Sequence, residues 1–246
     1  MDPLEYGLMY RVEDTHWWFR GMASITCALL DCFHRRDGSL RILDAGCGTG
    51  AAMTTYLARY GRVWGCDLIA DALRFCRRRG AVRLARASVT RLPYPDESFH
   101  LATSFDVLCE KAVPSDLEAV REFRRVLVAG GRLMLRLPAY SWMRRSHDEV
   151  VRTKHRYTRR EVETLLRESG FRIEHVSYAN LILLPAVILK KAGERLFPPA
   201  RPRSDLTLNA GIFNGMLARV LSWEAPWVVR PGLPFGLSII AVGRKP

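Results

Sequence analysis

The sequence predicts an α/β fold in which helices cover both faces of a parallel β-sheet. Stretches with strand character alternate with amphipathic helical stretches from about residue 40 to residue 177, and this alternation is typical of such sheets. A short apolar run at residues 41–43 leads into three alternate glycines and then a helix. The chain has 246 residues and is 48% hydrophobic, which is enough to bury the core of one such domain.

The glycine-rich loop at residues 43–50, which reads LDAGCGTG, is the most informative feature of the chain. Gly46, Gly48 and Gly50 suit a backbone that turns sharply and approaches a ligand with no Cβ in the way. The helix predicted at residues 51–60 adds unpaired N–H groups and a positive dipole end. The loop therefore predicts a nucleotide-like cofactor. Its spacing also fits the dinucleotide pattern G-x-G-x-x-G/A, so the spacing alone leaves the cofactor open.

The other elements follow in the same alternation. Further strands are predicted at residues 63–67, 83–87, 101–105, 132–137, 171–176 and 238–242. A helix is predicted at residues 70–79, and two more begin at capping-box pairs, Ser115 with Glu118 and Thr158 with Glu161. Helix stops are expected at residues 129–131 and at Gly170. An apolar helical stretch over residues 180–227, with a loop at 198–204, predicts a helical insertion before the last strand.

Composition argues against several classes of protein. The N-terminus is acidic and lacks a basic start followed by an apolar stretch, so no secretory signal is predicted and a cytoplasmic location is expected. The apolar run at residues 181–189 is about half the roughly 20 residues that a membrane span needs, so no transmembrane helix is expected. The six cysteines form no C-x-x-C pair, and neither a disulfide framework nor a metal site is predicted.

The net charge of +13 is the one compositional feature that fits nucleic acid or an anionic membrane. The charge is spread along the chain, however, and arginine supplies most of it. No motif that combines aromatic and basic residues for RNA binding is visible. The sequence therefore does not favour nucleic acid as a partner.

Four pieces of the chain together resemble the class I S-adenosylmethionine-dependent methyltransferases of small-molecule type. They are the glycine loop, Asp67 at the end of the second strand, LPYPDESFHLA at residues 92–102 and REFRRVLVAGGRLML at residues 121–135. The resemblance covers roughly residues 40–177 and the last strand. It implies a Rossmann-like, doubly wound, seven-stranded sheet, mostly parallel with the last strand antiparallel, and a cofactor across the carboxyl ends of the strands.

This resemblance suggests a four-part organisation. Residues 1–38 are expected to form an N-terminal helical cap, and residues 39–177 the core that binds S-adenosylmethionine. Residues 178–236 are expected to form a helical insertion on the substrate side. Residues 237–246 then return as the final strand of the core.

The resemblance also implies a set of cofactor contacts. The glycines would pass beneath the methionine and ribose, Asp44 would favour the ammonium group or order the loop, and Asp67 would accept from both ribose hydroxyls. Ser88 stands where the family usually has an acid that accepts from the adenine amino group. The expected contacts are Asp44, Gly46, Gly48, Gly50, Asp67, Leu68, Ser88, Val89, Ser104 and Phe105.

Methyl transfer requires side chains mainly to align the acceptor with the methyl group. A base is needed only if the acceptor starts protonated. The candidate bases are His147, Asp148 and His155, which follow the fifth strand on the side that faces the substrate in the family. Histidine titrates near neutral pH, and Asp148 could orient the imidazole of His147. A hydrogen-bonded surface residue is the alternative for each, and it is favoured for His155.

Candidate substrate contacts lie at the N-terminus and after the fourth and fifth strands. They are His16, Trp17, Trp18, Glu110 and Tyr157. The successive aromatic residues 17–19 cannot all face one side of a helix, so they form either a lid over the site or part of the core.

The sequence thus predicts methyl transfer to a small hydrophobic or amphipathic acceptor, with release of S-adenosylhomocysteine. The alternatives are an RNA methyltransferase and a non-catalytic module that binds S-adenosylmethionine. The apolar insertion admits three interpretations, in this order: the roof of an acceptor pocket, a homodimer face and a surface for peripheral membrane contact.

Overall fold

A computed structural model of the protein describes residues 3–144, 146–196 and 211–246, and one seven-stranded sheet organises them. The strands are β1 Leu40–Ala45, β2 Gly61–Asp67, β3 Leu84–Arg86, β4 Phe99–Phe105, β5 Leu127–Pro138, β6 Arg172–Ala179 and β7 Ser238–Arg244. Their order in the sheet is β3-β2-β1-β4-β5-β7-β6. Strand β7 runs antiparallel to β5 and β6, whereas the other pairs are parallel. The predicted fold class is confirmed.

Helices cover both faces of this sheet. They are α1 Pro3–Val12, α2 Trp17–Asp31, α3 Ala51–Thr55, α4 Ala70–Arg78, α5 Asp116–Val126, α6 Ser146–Val150, α7 Arg159–Glu168, α8 Leu184–Leu196, α9 Asn214–Ser222 and α10 Ala225–Val229. Alternate strand residues serve opposite faces. Leu133 packs in the cluster that contains Phe123 of α5, and its neighbour Met134 packs in the cluster that contains Ile25 of α2. The core therefore has one part on each side of the sheet.

The predicted helix starts are confirmed by their caps. The Thr158 hydroxyl accepts from the backbone N–H of Glu161, and the Glu161 carboxylate accepts from the backbone N–H of Thr158, which completes a capping box. The Ser115 hydroxyl accepts from the backbone N–H of Glu118 at 3.2 Å. These caps fix the starts of α7 and α5 on one face of the sheet.

Two element boundaries differ from the prediction by five residues. Helix α3 ends at Thr55, and a short 3-10 turn at Leu57–Arg59 completes the stretch predicted as one helix. Strand β5 begins at Leu127, not at residue 132, because Leu127 already pairs with Phe99 and α5 ends at Val126. The glycines at 130 and 131 thus lie inside a strand and do not stop the helix.

The N-terminal helices and the insertion share one face of the sheet. Helix α2 packs on α9 and α10, and a Cβ at Gly21 would lie 2.6 Å from the side chain of Leu221, so a glycine permits this close approach.

The predicted loop at residues 198–204 lies outside the described residues. The four-part division of the chain remains a prediction. None of the described helices is long and apolar enough to cross a membrane.

Candidate cofactor and acceptor site

A cavity of about 1490 Å³ opens at the carboxyl ends of the central strands. The ends of β1, β2, β4 and β5 form its floor, α1 and α2 cover one side, and α6 and α8 line the other. Open parallel sheets bind ligands at this edge. Pockets for single small ligands usually measure about 300 to 1,000 Å³, so this cavity has room for a cofactor and a second small molecule.

The glycine loop lies at the floor of this cavity, as predicted. Gly46, Gly48 and Gly50 have φ of +80°, +55° and +85°, a region that favours glycine. The backbone N–H groups of Gly46 and Cys47 both donate to the Cys66 carbonyl, at 2.8 and 3.0 Å. A Cβ at Gly46 would lie 2.2 Å from the side chain of Val107. The loop therefore requires its glycines and is tied to the end of β2.

Asp67, the last residue of β2, is buried beside the glycine loop. One carboxylate oxygen accepts from the backbone N–H of Gly48 at 3.0 Å, and the other accepts from that of Ile69 at 2.9 Å. Burial raises the pKa of Asp67, and these two bonds partly offset that effect. A carboxylate has about four acceptor positions, more than its backbone bonds occupy here, so Asp67 retains the capacity to accept from the hydroxyls of a vicinal diol. The side chain of the next residue, Leu68, also lines the cavity.

Two further carboxylates, one buried and one half-buried, line the same part of the cavity. Asp44, in β1, accepts a 2.8 Å hydrogen bond from the Thr103 hydroxyl, and burial raises its pKa to about 6. Burial also raises the pKa of Glu110. Each ionised carboxylate is unfavourable in such surroundings unless positive charge is close. This end of the cavity therefore favours a cationic ligand.

Some of the residues predicted to surround the adenine and the methyl group line the cavity, and one does not. Ser88 and Val89 line the cavity, and the Ser88 hydroxyl is 2.8 Å from that of Thr90. Phe105 also lines it, but Ser104 does not. Because neighbouring residues of a strand point to opposite faces, Ser104 is directed away from the cavity and is buried. The prediction that Ser104 contacts the cofactor is therefore not supported.

The predicted base candidates His147 and Asp148 lie on α6 and both line the cavity. Asp148 is buried, and its two oxygens accept from Nε and Nη2 of Arg156 at 2.8 and 3.0 Å. Arg156 also donates to the Ala139 carbonyl at the end of β5. Asp148 thus fastens this segment to the sheet, and its predicted role beside His147 remains a prediction. The role of His147 remains a prediction.

Two other predicted site residues lie outside the cavity. The backbone of Tyr157 bonds to Pro138 and Tyr140, so its side chain is directed to α5, where its hydroxyl donates to Asp116 at 2.7 Å. His155 lies within 3.1 Å of a Glu161 oxygen and packs edge-on against the Tyr157 ring. His155 is therefore the hydrogen-bonded surface residue that the sequence favoured, and neither side chain is placed to contact substrate.

The N-terminal aromatic cluster does reach the cavity. His16, Trp17 and Trp18 all line it, and His16 Nδ1 accepts from the backbone N–H of Trp18 at 3.2 Å, which caps α2. The Arg136 guanidinium lies 4.9 Å from the centroid of Trp18 and 5.0 Å from that of Phe105. The cluster is therefore neither purely core nor purely lid, because a buried arginine joins it to the sheet.

Arg136 was not identified from the sequence. It lies in β5, is buried, and donates through Nε to Asp106 at 2.7 Å. The one available signal is an arginine inside the otherwise apolar run LMLRLP. A charged residue in a buried strand requires partners, and such residues are frequently functional.

A second feature missed in the sequence is the attachment of the N-terminal segment to the glycine loop. The buried Glu13 carboxylate accepts from the Thr49 hydroxyl and from Nη2 of Arg79, the latter at 2.9 Å. Burial raises the pKa of Glu13 to about 7, although both partners act to lower it. Tyr6 and Met9 of α1 consequently lie in the cavity, above the glycine loop. No sequence pattern pairs residue 13 with residue 79.

The comparison with protein families agrees with this geometry. Residues 43–135 match the model of a family described as a methyltransferase domain. Residues 43–135 are therefore identified as a methyltransferase domain, and the strand order around them is that of the class I fold. S-adenosylmethionine is the cofactor of this class, and the matched residues include the glycine loop, Asp67 and Phe105.

Two relatives of the domain are named as methyltransferases, and the name of one of them gives tRNA as the substrate. The chain is 32% identical over 128 residues to a protein of Encephalitozoon cuniculi that is named as a methyltransferase, covering 52% of this chain and 53% of the relative. It is 34% identical over 111 residues to a Homo sapiens protein named as a probable tRNA methyltransferase, covering 44% and 22%. The chain therefore spans about half, or less, of the length of these relatives.

A solved structure resembles nearly the whole chain. It is a methyltransferase from Thermotoga maritima described as a possible histamine N-methyltransferase, with a TM-score of 0.61 and 17% identity. The match covers 98% of this chain and 95% of the other. At this level of identity the likeness shows the fold of the methyltransferase domain and nothing about its substrate.

Proposed function

We propose that this chain transfers a methyl group from S-adenosylmethionine to a small amphipathic acceptor and releases S-adenosylhomocysteine. One observation carries the proposal: a single cavity joins an end with the carboxylates of Asp44, Asp67 and Glu110 to an end with apolar and cationic side chains. The first end fits a cationic cofactor. The second fits an acceptor that has both apolar and polar parts.

The residues of the first end fit S-adenosylmethionine. The glycine loop provides a cradle that side chains would fill, and Asp67 retains lone pairs for the ribose diol. Asp44 and Glu110 offer negative charge to the ammonium and sulfonium groups. When bound there, the cofactor supplies an electrophilic methyl group. The protein's task is then to align an acceptor with it and to exclude water.

The second end is formed largely by the segment that precedes and begins α8. Leu183, Ala186 and Val187 give it an apolar wall, and Lys190 lies one turn further along the same face. Arg152 lines the cavity from the loop after α6. An acceptor with an apolar body against this wall and a polar group toward the cations would fill this space. His147 is the candidate base for an acceptor that starts protonated.

The test is release of S-adenosylhomocysteine with a panel of fatty acids, phenols and amphipathic amines. Val187→Gln should raise the KM for an active acceptor and leave the cofactor Kd unchanged, because Val187 belongs to the acceptor wall. Val82→Gln, an equal change at an exposed site near β3, is the matched control. Cofactor binding without turnover on any acceptor would instead support a non-catalytic module.

RNA methylation is the second candidate, favoured by the net charge of +13 and by the name of the human relative. The helices that cover the cavity weigh against it, because a base in a folded RNA would have to leave its stack to reach the floor. Total tRNA should therefore be included in the same panel. Turnover with tRNA and with none of the small acceptors would replace the first proposal.

A further inference from the structure

The outer face of α9 and α10 is apolar where a surface helix is usually polar. Residues 211–229 run helically from a 3-10 turn through both helices. Six outward residues recur at spacings of three and four, and we call them the outer stripe: Ile212, Met216, Arg219, Trp223, Trp227 and Arg230. Ile212 is 93% exposed, Trp223 65%, and Met216 and Trp227 55% each.

The opposite face of the same helices explains why this stripe must point outward. Asn214, Ala218, Leu221, Ala225 and Val228 are buried and recur at the same helical spacing. They pack toward α2 and the sheet. The helices therefore already have an inner apolar face, and the outer stripe is a second one that the fold does not use.

Exposed apolar residues of neighbouring segments extend the outer stripe. The Glu224 carboxylate accepts from the backbone N–H groups of Asn180 and Ile182, which fastens the start of α8 beside Trp223. Ile182 is itself exposed. At the other end, Gly232 donates to the Trp227 carbonyl and places the loop that carries the exposed Phe235 nearby. Clusters of this kind mark interaction surfaces.

The charges of this surface indicate which kind of partner is complementary to it. Residues 211–236 contain a single acidic residue, Glu224, whose carboxylate is buried and bonded to backbone N–H groups. The exposed charges of the outer stripe are therefore those of Arg219 and Arg230. A second copy of this chain, with its net charge of +13, would bring like charges together. An anionic lipid surface complements them, and tryptophan beside arginine is typical of residues at a membrane interface.

We propose that the outer stripe docks the protein on the surface of an anionic lipid bilayer, without spanning it. The tryptophans and Ile212 enter the headgroup region, and Arg219 and Arg230 contact lipid phosphates. The cavity wall formed by α8 begins beside this surface, since Ile182 is bonded to Glu224 and Leu183 lines the cavity. An amphipathic acceptor dissolved in the bilayer would therefore enter the site close by, a consequence that rests on the proposed function, whereas docking does not.

The test is co-sedimentation of the full-length protein with vesicles of phosphatidylcholine and phosphatidylglycerol, compared with phosphatidylcholine alone. We expect binding to the anionic vesicles that weakens as salt is added. The double variant Trp223→Gln/Trp227→Gln should reduce the partition coefficient by at least about tenfold. Arg219→Gln/Arg230→Gln should reduce it by roughly fivefold for each arginine, the effect of about 1 kcal/mol for each cation near an anionic surface.

Matched controls separate the outer stripe from general charge and hydrophobicity. Val82→Gln and Arg62→Gln remove an exposed aliphatic and an exposed cation elsewhere, and both should leave vesicle binding unchanged. Cofactor binding by calorimetry shows that each variant is folded. Docking is overturned if the wild type fails to bind anionic vesicles or if the stripe variants bind as the wild type does. It is also overturned if light scattering shows a dimer that the tryptophan variant abolishes.

Vesicle binding and turnover are separate measurements. A protein that binds anionic vesicles but releases no S-adenosylhomocysteine would overturn the proposed function and support docking. A protein that methylates acceptors but does not bind the vesicles would support the proposed function and overturn docking.

Discussion

Replacing Asp44 by asparagine is expected to make the fold more stable while weakening cofactor binding. Asp44 is buried, and burial raises its pKa from 3.8 to about 6. A carboxyl whose pKa is raised on folding favours the folded state when protonated, so the wild type loses stability as pH rises from about 4 to above 6. Each pKa unit corresponds to about 1.36 kcal/mol, so at pH 8 the ionised carboxylate lowers the free energy of unfolding by about 3 kcal/mol.

The amide of Asp44→Asn cannot ionise, and its oxygen can still accept from the Thr103 hydroxyl. At pH 8 the variant should therefore be more stable by up to about 3 kcal/mol, or roughly 6 to 12 °C in Tm for a chain of this size. The difference should shrink toward pH 4. Calorimetry should show binding of S-adenosylmethionine weakened by about tenfold or more, since a charged partner is lost.

Asp71→Asn, at an exposed site on α4, is the control and should change neither stability nor affinity appreciably. A variant Asp44→Asn that is no more stable than the wild type at pH 8 would refute the argument from burial. Unchanged affinity would remove Asp44 from the cofactor site. Greater stability with lost binding would show that the carboxylate is retained for function at the expense of the fold.

The remaining predictions concern three other side chains of the site. Asp67→Ala should weaken binding of S-adenosylmethionine by roughly 1.5 to 3 kcal/mol in calorimetry, and binding of NAD instead would contradict the assignment. His147→Ala should lower kcat by about 100-fold with cofactor affinity unchanged, whereas His155→Ala should not; a loss below about fivefold from about pH 6 to 9 would reject the base. Glu13→Gln should reduce the fall in Tm that the wild type shows as pH rises from 4.5 through about 7, leaving the part due to Asp44, and a slope between about pH 6 and 7 equal to that of the wild type would contradict the raised pKa.

Features that depend on local backbone geometry could be predicted from the sequence. Gly46, Gly48 and Gly50 adopt positive φ, in agreement with the sharp turn predicted for them, and the Thr158 capping box forms in full. The start of β5 could not be placed, because two adjacent glycines usually end a helix. Here the pairing of Leu127 with β4 keeps them within a strand. A long-range contact decided that boundary.

The position of a site residue could be predicted only where local structure determines which way its side chain points. Asp67 follows from its place at the end of a strand, but alternation along β4 turns Ser104 away from the cavity that Phe105 enters. The contact of Glu13 with Arg79 joins residues 66 positions apart and leaves no local signal. Asp148 was predicted to lie at the site, but its bidentate bond to Arg156 depends on how the loop after β5 folds back.

The two ends of the cavity carry opposite charge, and Arg136 lies where they meet. Its bond to Asp106 neutralises a carboxylate on the loop after β4, so the acidic end does not extend toward the acceptor wall. Its guanidinium lies between the rings of Trp18 and Phe105, which joins the N-terminal helix to the end of β4. One buried residue therefore both limits the acidic region and holds α2 over the site. This arrangement favours a cation at one end and an acceptor with an apolar or anionic part at the other, since a second cation would lie beside Lys190 and Arg152.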